Sequence, residues 1–169
     1  MSAFILDLTT LRNGLSQVAV ETGAQDLDLP VAEWPGAIRG TFDVEKSGDR
    51  VSVRGFLEAR PRLECVRCLK SFDHPMRVVF QVFADRAGSG SRRDEEALDR
   101  DAYMLFHDGR RLDLREEARE SLLTETPMAP HCRDDCAGLC PRCGADLNAG
   151  PHACPRDIHE EKIHGGTQT

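Results

Sequence analysis

Four cysteines fall within twelve residues, in Cys132-Arg-Asp-Asp-Cys136-Ala-Gly-Leu-Cys140-Pro-Arg-Cys143. A Cys-x-x-Cys turn can aim two thiolates at one metal ion from a tight loop whose backbone N–H groups also face the sulfurs. A glycine after the second cysteine relieves crowding where φ must turn positive. Cys140-Pro-Arg-Cys143-Gly144 has that form, whereas Cys65-Val-Arg-Cys68-Leu69 has the spacing without the glycine. Farther on, His152-Ala-Cys154 sets an imidazole two residues from the last thiol. Structural zinc sites take four cysteines, or three cysteines and a histidine. The ligand set Cys65, Cys68, Cys132, Cys136, Cys140, Cys143, His152 and Cys154 is enough for one or two zinc ions.

Proximity suggests one partition. Cys140, Cys143, His152 and Cys154 can close a local knuckle around the turn Asp146-Leu-Asn-Ala-Gly150, leaving Cys132 and Cys136 for Cys65 and Cys68. A rival pairing joins Cys65 and Cys68 to Cys140 and Cys143, and spacing does not decide between them. The bland alternative is that several cysteines are plain thiols, Cys65 and Cys68 first because Leu69 replaces the turn glycine. Catalytic zinc keeps an open position beside a carboxylate base. The chain contains no His-Glu-x-x-His and no deaminase-like pattern. A redox Cys-x-x-Cys sits between a strand and a helix, whereas Cys65 and Cys68 lie between strand patterns.

The compartment follows from the thiols. The N-terminus, Met-Ser-Ala-Phe-Ile-Leu-Asp-Leu, has no basic stretch, long apolar run or cleavage site, so no signal peptide is expected. No stretch approaches the roughly 18 apolar residues of a membrane span. The cytoplasm is the expected location, with no membrane partner. Seven cysteines, an odd number, fit a disulfide framework poorly and a metal site well.

The elements that must position these residues show in the apolar periodicity. Phe4 to Leu8 reads as a short strand that pairs with the main sheet. Gly40 to Val44 reads as a strand and Lys46-Ser-Gly-Asp49 as a turn. Val51, Val53, Leu57 and Ala59 alternate, as do Met76, Val78, Phe80 and Val82, which predicts an antiparallel meander with one buried face. Asp85 to Arg100 is Gly/Ser-rich and then charged, and reads as a mobile loop. Ala102 to Phe106 reads as a short strand. Leu112 to Glu125 predicts a helix capped by Asp113, with Glu116 completing a capping box and Leu114, Ala118, Leu122 and Leu123 forming the apolar face. The fold class expected is α+β: an antiparallel meander or partly closed barrel, one C-terminal amphipathic helix, and a Cys-rich zinc-knuckle tail. The expected domains are a β-rich domain, 1–130, with its packing helix at 112–126; a metal-binding tail, 131–158, docked on it; and a flexible C-terminus, 159–169.

Net charge is −7, which does not advertise nucleic-acid binding. The distribution is uneven, however. Residues 50–77 hold seven basic and three acidic side chains, net +4, while the rest of the chain is acidic. Arg50, Arg54, Arg60, Arg62 and Arg67 are therefore RNA-contact candidates, the first four at even offsets on one exposed strip. Arginine can pair phosphates bidentately. An ordinary solvated sheet face accounts for them equally well. Phe56 and Phe72 are the only aromatics there, which is too few for a base-stacking platform. His131 is a weaker ligand candidate than His152. His74, His107, His159 and His164 read as surface residues, Asp108 as solvated charge and Trp34 as a packing anchor.

Three stretches together resemble the bacterial YceD family. They are Leu63-Glu-Cys65-Val-Arg-Cys68-Leu69; Leu112-Asp-Leu with its acidic helix ending in Pro127-Met-Ala-Pro130; and Cys132-x3-Cys136-Ala-Gly-Leu-Cys140-Pro-Arg-Cys143-Gly-Ala-Asp-Leu-Asn148. The likeness runs from about residue 38 to 155. Family tails of this type commonly end in Cys-x-Cys, and here His152 replaces the first of that pair. The resemblance implies a non-enzymatic factor in large ribosomal subunit biogenesis, supporting synthesis, processing or accumulation of large-subunit ribosomal RNA. Its implied partner is pre-ribosomal RNA or a ribosomal protein, with no small-molecule substrate. The readings from other classes are a zinc or thiol redox enzyme and a generic zinc-containing interaction module.

Overall fold

The computed structural model describes residues 3–87 and 104–154. In chain order the elements are β1 (Ile5–Asp7), β2 (Gly14–Thr22), β3 (Ile38–Ser47), β4 (Arg50–Ala59), β5 (Arg62–Glu64), β6 (Ser71–Asp73), β7 (Met76–Arg86), β8 (Met104–His107), β9 (Arg111–Asp113) and α1 (Arg115–Glu125). The chain divides into two compact units, 1–63 with 73–128, and 64–72 with 129–169. The segment around the first Cys-x-x-Cys thus groups with the C-terminal cysteines.

The first unit is built on a five-stranded sheet in the order β2-β3-β4-β7-β8. Strands β3, β4 and β7 run where the period-two pattern predicts. Phe42, Val44, Val53, Leu57, Val78 and Phe80 point to one side and are nearly inaccessible. Phe42 packs edge-on against Phe4, ring centroids 6.1 Å apart, and tilted against Phe80 at 5.1 Å. Leu114, Ala118 and Leu122 of the helix complete this core with Leu6, Leu8, Leu27 and Trp34. Each fully buried Leu, Val or Phe contributes about 1.5–3 kcal/mol.

The structure corrects several expectations. The sheet is open, and among the described residues β2 and β8 end it without closing a barrel. It is not wholly antiparallel, because β8 runs parallel to β7. Seventeen residues, 87–103, separate those strands, enough for a parallel return. Strand β1 pairs with β9 rather than with the main sheet. The Leu114 N–H donates to the Phe4 carbonyl at 2.9 Å, beside that pairing. Strand β2, which sequence reading did not single out, pairs with β3 along its whole length.

The helix is mid-chain rather than C-terminal, and the Cys-rich segment follows it. Its N-cap is Leu114, with no side-chain cap, so the Asp113–Glu116 capping box does not form. Leu114 is fully buried, and that anchorage sets the helix start one residue beyond the polar cap. Asp113 instead accepts from the Arg115 backbone at 3.1 Å and its side chain at 2.6 Å. Leu123 is substantially exposed, while Glu117 is buried and burial raises its carboxyl pKa.

His107 is buried, not on the surface. Its Nδ1 accepts from the Gly109 N–H at 2.9 Å, so Nε2 donates to the Asp49 carbonyl at 2.7 Å. The predicted loop at Asp85 begins later, since β7 continues to Arg86. The rest of that loop and the predicted flexible C-terminus, 159–169, lie outside the described residues. No helix among the described residues is long and apolar enough to cross a membrane.

Candidate metal centres

The second unit is made of two knuckles with one backbone plan. In the first, the Leu69 N–H donates to the Cys65 carbonyl at 2.8 Å and the Cys65 N–H to the Lys70 carbonyl at 3.0 Å. In the second, the Gly144 N–H donates to the Cys140 carbonyl at 2.8 Å and the Cys140 N–H to the Ala145 carbonyl at 2.8 Å. The residue after each second cysteine has positive φ, +58° at Leu69 and +74° at Gly144. Leucine therefore occupies the left-handed position that glycine takes without strain. The absence of glycine did not prevent the turn; it made the turn costlier.

The eight candidate ligands gather into two sets: Cys65, Cys68, Cys132 and Cys136, and Cys140, Cys143, His152 and Cys154. Within each set all ligand atoms lie within 4.8 Å of one another. The rival pairing of Cys65 and Cys68 with Cys140 and Cys143 does not occur. The sulfurs of Cys65 and Cys136 are 3.8 Å apart, those of Cys68 and Cys132 3.7 Å, and those of Cys140 and Cys154 3.9 Å. Cys143 Sγ lies 3.1 Å from His152 Nε2. A tetrahedral ion with metal–sulfur bonds of about 2.3 Å needs sulfur–sulfur edges of about 3.8 Å. Both sets can therefore hold a metal ion. His131 belongs to neither.

Local electrostatics prepare one thiol in each knuckle. The Cys132 backbone N–H, opposed by burial and aided by the N–H groups of Cys68 and Arg67, lowers the Cys65 thiol to about 6. The N–H groups of Arg142 and Cys143 lower Cys140 to about 6 in the same way. Cys132 is pushed up to about 12 by burial and then by Cys68 and Cys136. Burial, then Cys143 and Cys140, raise Cys154 to about 11. A cation would have to displace these last protons, so metal uptake releases protons.

A second layer of polar contacts fixes the knuckles, and sequence reading missed its members. The Asn148 amide donates to Cys136 Sγ at 3.6 Å and to Asp146 Oδ1 at 2.8 Å. Its carbonyl accepts from the Ala137 N–H and the Arg133 guanidinium, each at 2.8 Å. Lys70 Nζ lies 2.5 Å from Asp146 Oδ2, and that ammonium, with the Asn148 N–H, lowers the Asp146 carboxyl to about 2. Gly138 has φ +76°, and a Cβ there would sit 2.9 Å from the Arg67 carbonyl oxygen. That same oxygen accepts the Leu139 N–H at 3.0 Å. Asp146 and Asn148 stand in the quoted Gly-Ala-Asp-Leu-Asn motif. An Asp-x-Asn turn directly after a knuckle was the available signal.

Of the arginines proposed for RNA contact, Arg50 and Arg54 lie on β4, Arg60 follows that strand, and Arg62 lies on β5, which pairs only with β6 among the described residues. Arg67 donates to the backbone carbonyls of Asp134 and Cys136, at 3.3 and 3.0 Å. Arg50 pairs with Asp85 and Arg62 with Asp73. Arg54 lies over the Phe83 ring, opposite Asp43 on β3. Arg60 has no hydrogen bond or ion pair among the described residues.

Three comparisons bear on this chain. A model of the family described as large ribosomal RNA subunit accumulation protein YceD matches residues 53–164, which contain all eight ligands. The uncharacterized protein ML1660 of Mycobacterium leprae (strain TN) is 36% identical over 126 residues, covering 74% of this chain and 56% of that protein. The uncharacterized protein Rv2926c of Mycobacterium tuberculosis (strain ATCC 25618 / H37Rv) is 32% identical over 143 residues, covering 83% of this chain and 60% of that protein. The chain thus spans less than two thirds of the length of these relatives. No solved structure matches.

Proposed function

The chain belongs to the YceD family, and we propose that it is a non-enzymatic factor in large ribosomal subunit biogenesis that supports accumulation of large-subunit ribosomal RNA. The observation that carries this reading is the family match over residues 53–164, read with the two ligand sets inside it. We propose zinc as the metal. Three- and four-thiolate sets at tetrahedral spacing in a reducing compartment suit it, and the cytoplasm is that compartment. Zinc would supply folding energy to a segment with few apolar residues of its own. Cys65, Cys68, Cys132 and Cys136 would hold one ion, and Cys140, Cys143, His152 and Cys154 the other. The metal-binding tail, 131–158, then serves the β-rich domain, 1–130, as a folded appendage. The partner is pre-ribosomal RNA or a ribosomal protein.

A thiol redox role is less well supported. Cys65 and Cys68 are buried, whereas reactive thiols are low in pKa and accessible. The test is depletion of the protein in its own cell. The ratio of large- to small-subunit ribosomal RNA should fall, and a Cys140→Ser/Cys143→Ser variant should not restore it. An unchanged ratio on depletion would overturn the reading.

A further inference from the structure

The sheet carries a basic cleft at the end where β3 begins and β4 finishes. Its volume is about 570 Å³, within the roughly 300–1,000 Å³ of ordinary ligand sites. Arg39, Arg60 and Arg77 line it, with Glu58 the single carboxylate among the described lining residues, over apolar surface from Pro75 and Met76. Strand register explains the arrangement. Glu58 on β4 lies opposite both Arg39 on β3 and Arg77 on β7. The two arginines therefore flank it, about 10 Å apart by strand spacing. Arg60 follows directly after the end of β4.

The guanidiniums are oriented but not used up. Arg39 meets Glu21 through Nε at 2.7 Å, and Arg77 meets Glu58 through Nε at 3.6 Å. Arg77 also lies over the Phe56 ring at 3.9 Å. Among the described residues, the one side-chain hydrogen bond of these two pairs is from Arg39 Nε to Glu21. These pairs are solvent-exposed and weakly held, so a phosphate can replace the carboxylate at small cost. Arg60 has no hydrogen-bond or ion-pair partner to exchange among the described residues. The planar fork of each guanidinium matches a phosphodiester, and the apolar floor suits ribose.

Resting on the proposed role in large-subunit RNA accumulation, we infer that this cleft seats the phosphodiester backbone of single-stranded RNA, with Arg39, Arg60 and Arg77 as the contacts. Arg50, Arg54, Arg62 and Arg67, read as candidates from the sequence, are not needed for it. The inference adds Arg39 and Arg77, which sequence spacing did not mark, and keeps Arg60.

The test uses the full chain, purified without chelator, and a short mixed-sequence single-stranded RNA. Affinity is measured across a salt series for the wild type, Arg60→Gln, Arg39→Gln/Arg60→Gln/Arg77→Gln, and the control Arg50→Gln/Arg54→Gln, which lies on the same face nearer the other end of β4. The triple variant should lose at least about tenfold at low salt, and its slope of log K against log salt should shrink by about 2. Arg60→Gln, which breaks no hydrogen bond or ion pair among the described residues, should shrink the slope by about 0.7. The control should bind as the wild type does. RNA binding by the wild type and the triple variant alike would overturn the cleft and leave the function standing. Equal loss in the control would spread the RNA along the whole outer sheet face rather than seat it in this cleft, and would also overturn the inference. Displacement of the RNA by inorganic phosphate or a nucleoside monophosphate at matched phosphate concentration would make this a small-anion site instead. No wild-type binding at low salt would overturn the inference, while depletion in the cell still judges the function independently.

Discussion

The two ligand sets share a backbone plan and differ in almost everything else. The first joins residues 64 and 71 positions apart, uses four thiols, and buries Cys65, Cys68 and Cys136. The second joins residues 9 and 14 positions apart, includes an imidazole, and leaves Cys143 exposed. Loop-closure entropy grows as the logarithm of loop length. Closing 64 residues rather than 9 therefore removes about 1.7 kcal/mol more freedom from the unfolded chain. The first set acts as a cross-link between distant segments, and the second organises its own loop. A knuckle is thus a reusable local part, and its structural consequence depends on what it is tied to.

The largest test removes the metal altogether. Structural zinc supplies about 10–16 kcal/mol of apparent folding energy in small domains. Protein purified without chelator should contain two zinc ions per chain. After chelation, amide protection at residues 129–154 should vanish while β3, β4 and β7 keep theirs, as followed by hydrogen exchange. Retained protection in the second unit would mean that both sets are plain thiol clusters.

Next in size is the contrast between Cys68→Ser and Cys143→Ser. The first should abolish the ordered second unit, because the segments 64–72 and 129–154 lose their tie. The second should cost one ion and leave the amides of residues 65–70 protected. Metal analysis paired with hydrogen exchange reads both, and equal damage would break the comparison. In the wild type, stepwise chelation should empty the histidine-containing set first.

Asn148→Ala tests the polar layer around the first set. Loss of groups that orient metal ligands typically costs 10–100-fold in affinity. Chelator competition should show a loss of about that size at the Cys65 set and a smaller one at the Cys140 set. An unchanged competition curve would reduce Asn148 to a turn residue.

The smallest effect lies at the positive-φ positions. Leu69→Gly should stabilise the second unit by about 1 kcal/mol and Gly144→Ala destabilise it by about as much, because a Cβ in the left-handed region costs about that. Thermal melts of the metal-loaded protein measure both. A destabilised Leu69→Gly would show that the leucine side chain contributes packing that outweighs its strain.

These differences also explain what the sequence revealed. Strands β3, β4 and β7 were legible because one face of each is buried, and burial imposes period two. Strand β2 was not, because most of its side chains are only half-buried or exposed, Leu15 included. The members of both metal sets were legible from residue type and spacing. Their partition needed the fold, since two Cys-x-x-Cys pairs fit either arrangement until the chain is folded. Arg67 looked like a surface cation, yet its donors close the gap between the first knuckle and the backbone at Cys136. Its neighbours in sequence give no sign of that. The helix start was misread because the buried Leu114, held by Phe4 from far away in the chain, outweighs a good local cap.

The second unit is assembled from two stretches of chain, with residues 73–128 of the first unit lying between them in sequence. During synthesis the two halves of the first metal set are made at different times. Cys68 leaves the ribosome 64 residues ahead of Cys132, roughly 3–13 seconds at ordinary elongation rates. Over that interval the early pair has only two of its four ligands, while the sheet that separates them is being completed. A chain that stops early keeps Cys65 and Cys68 as open thiols, so sealing this centre marks the moment at which translation has passed Cys136.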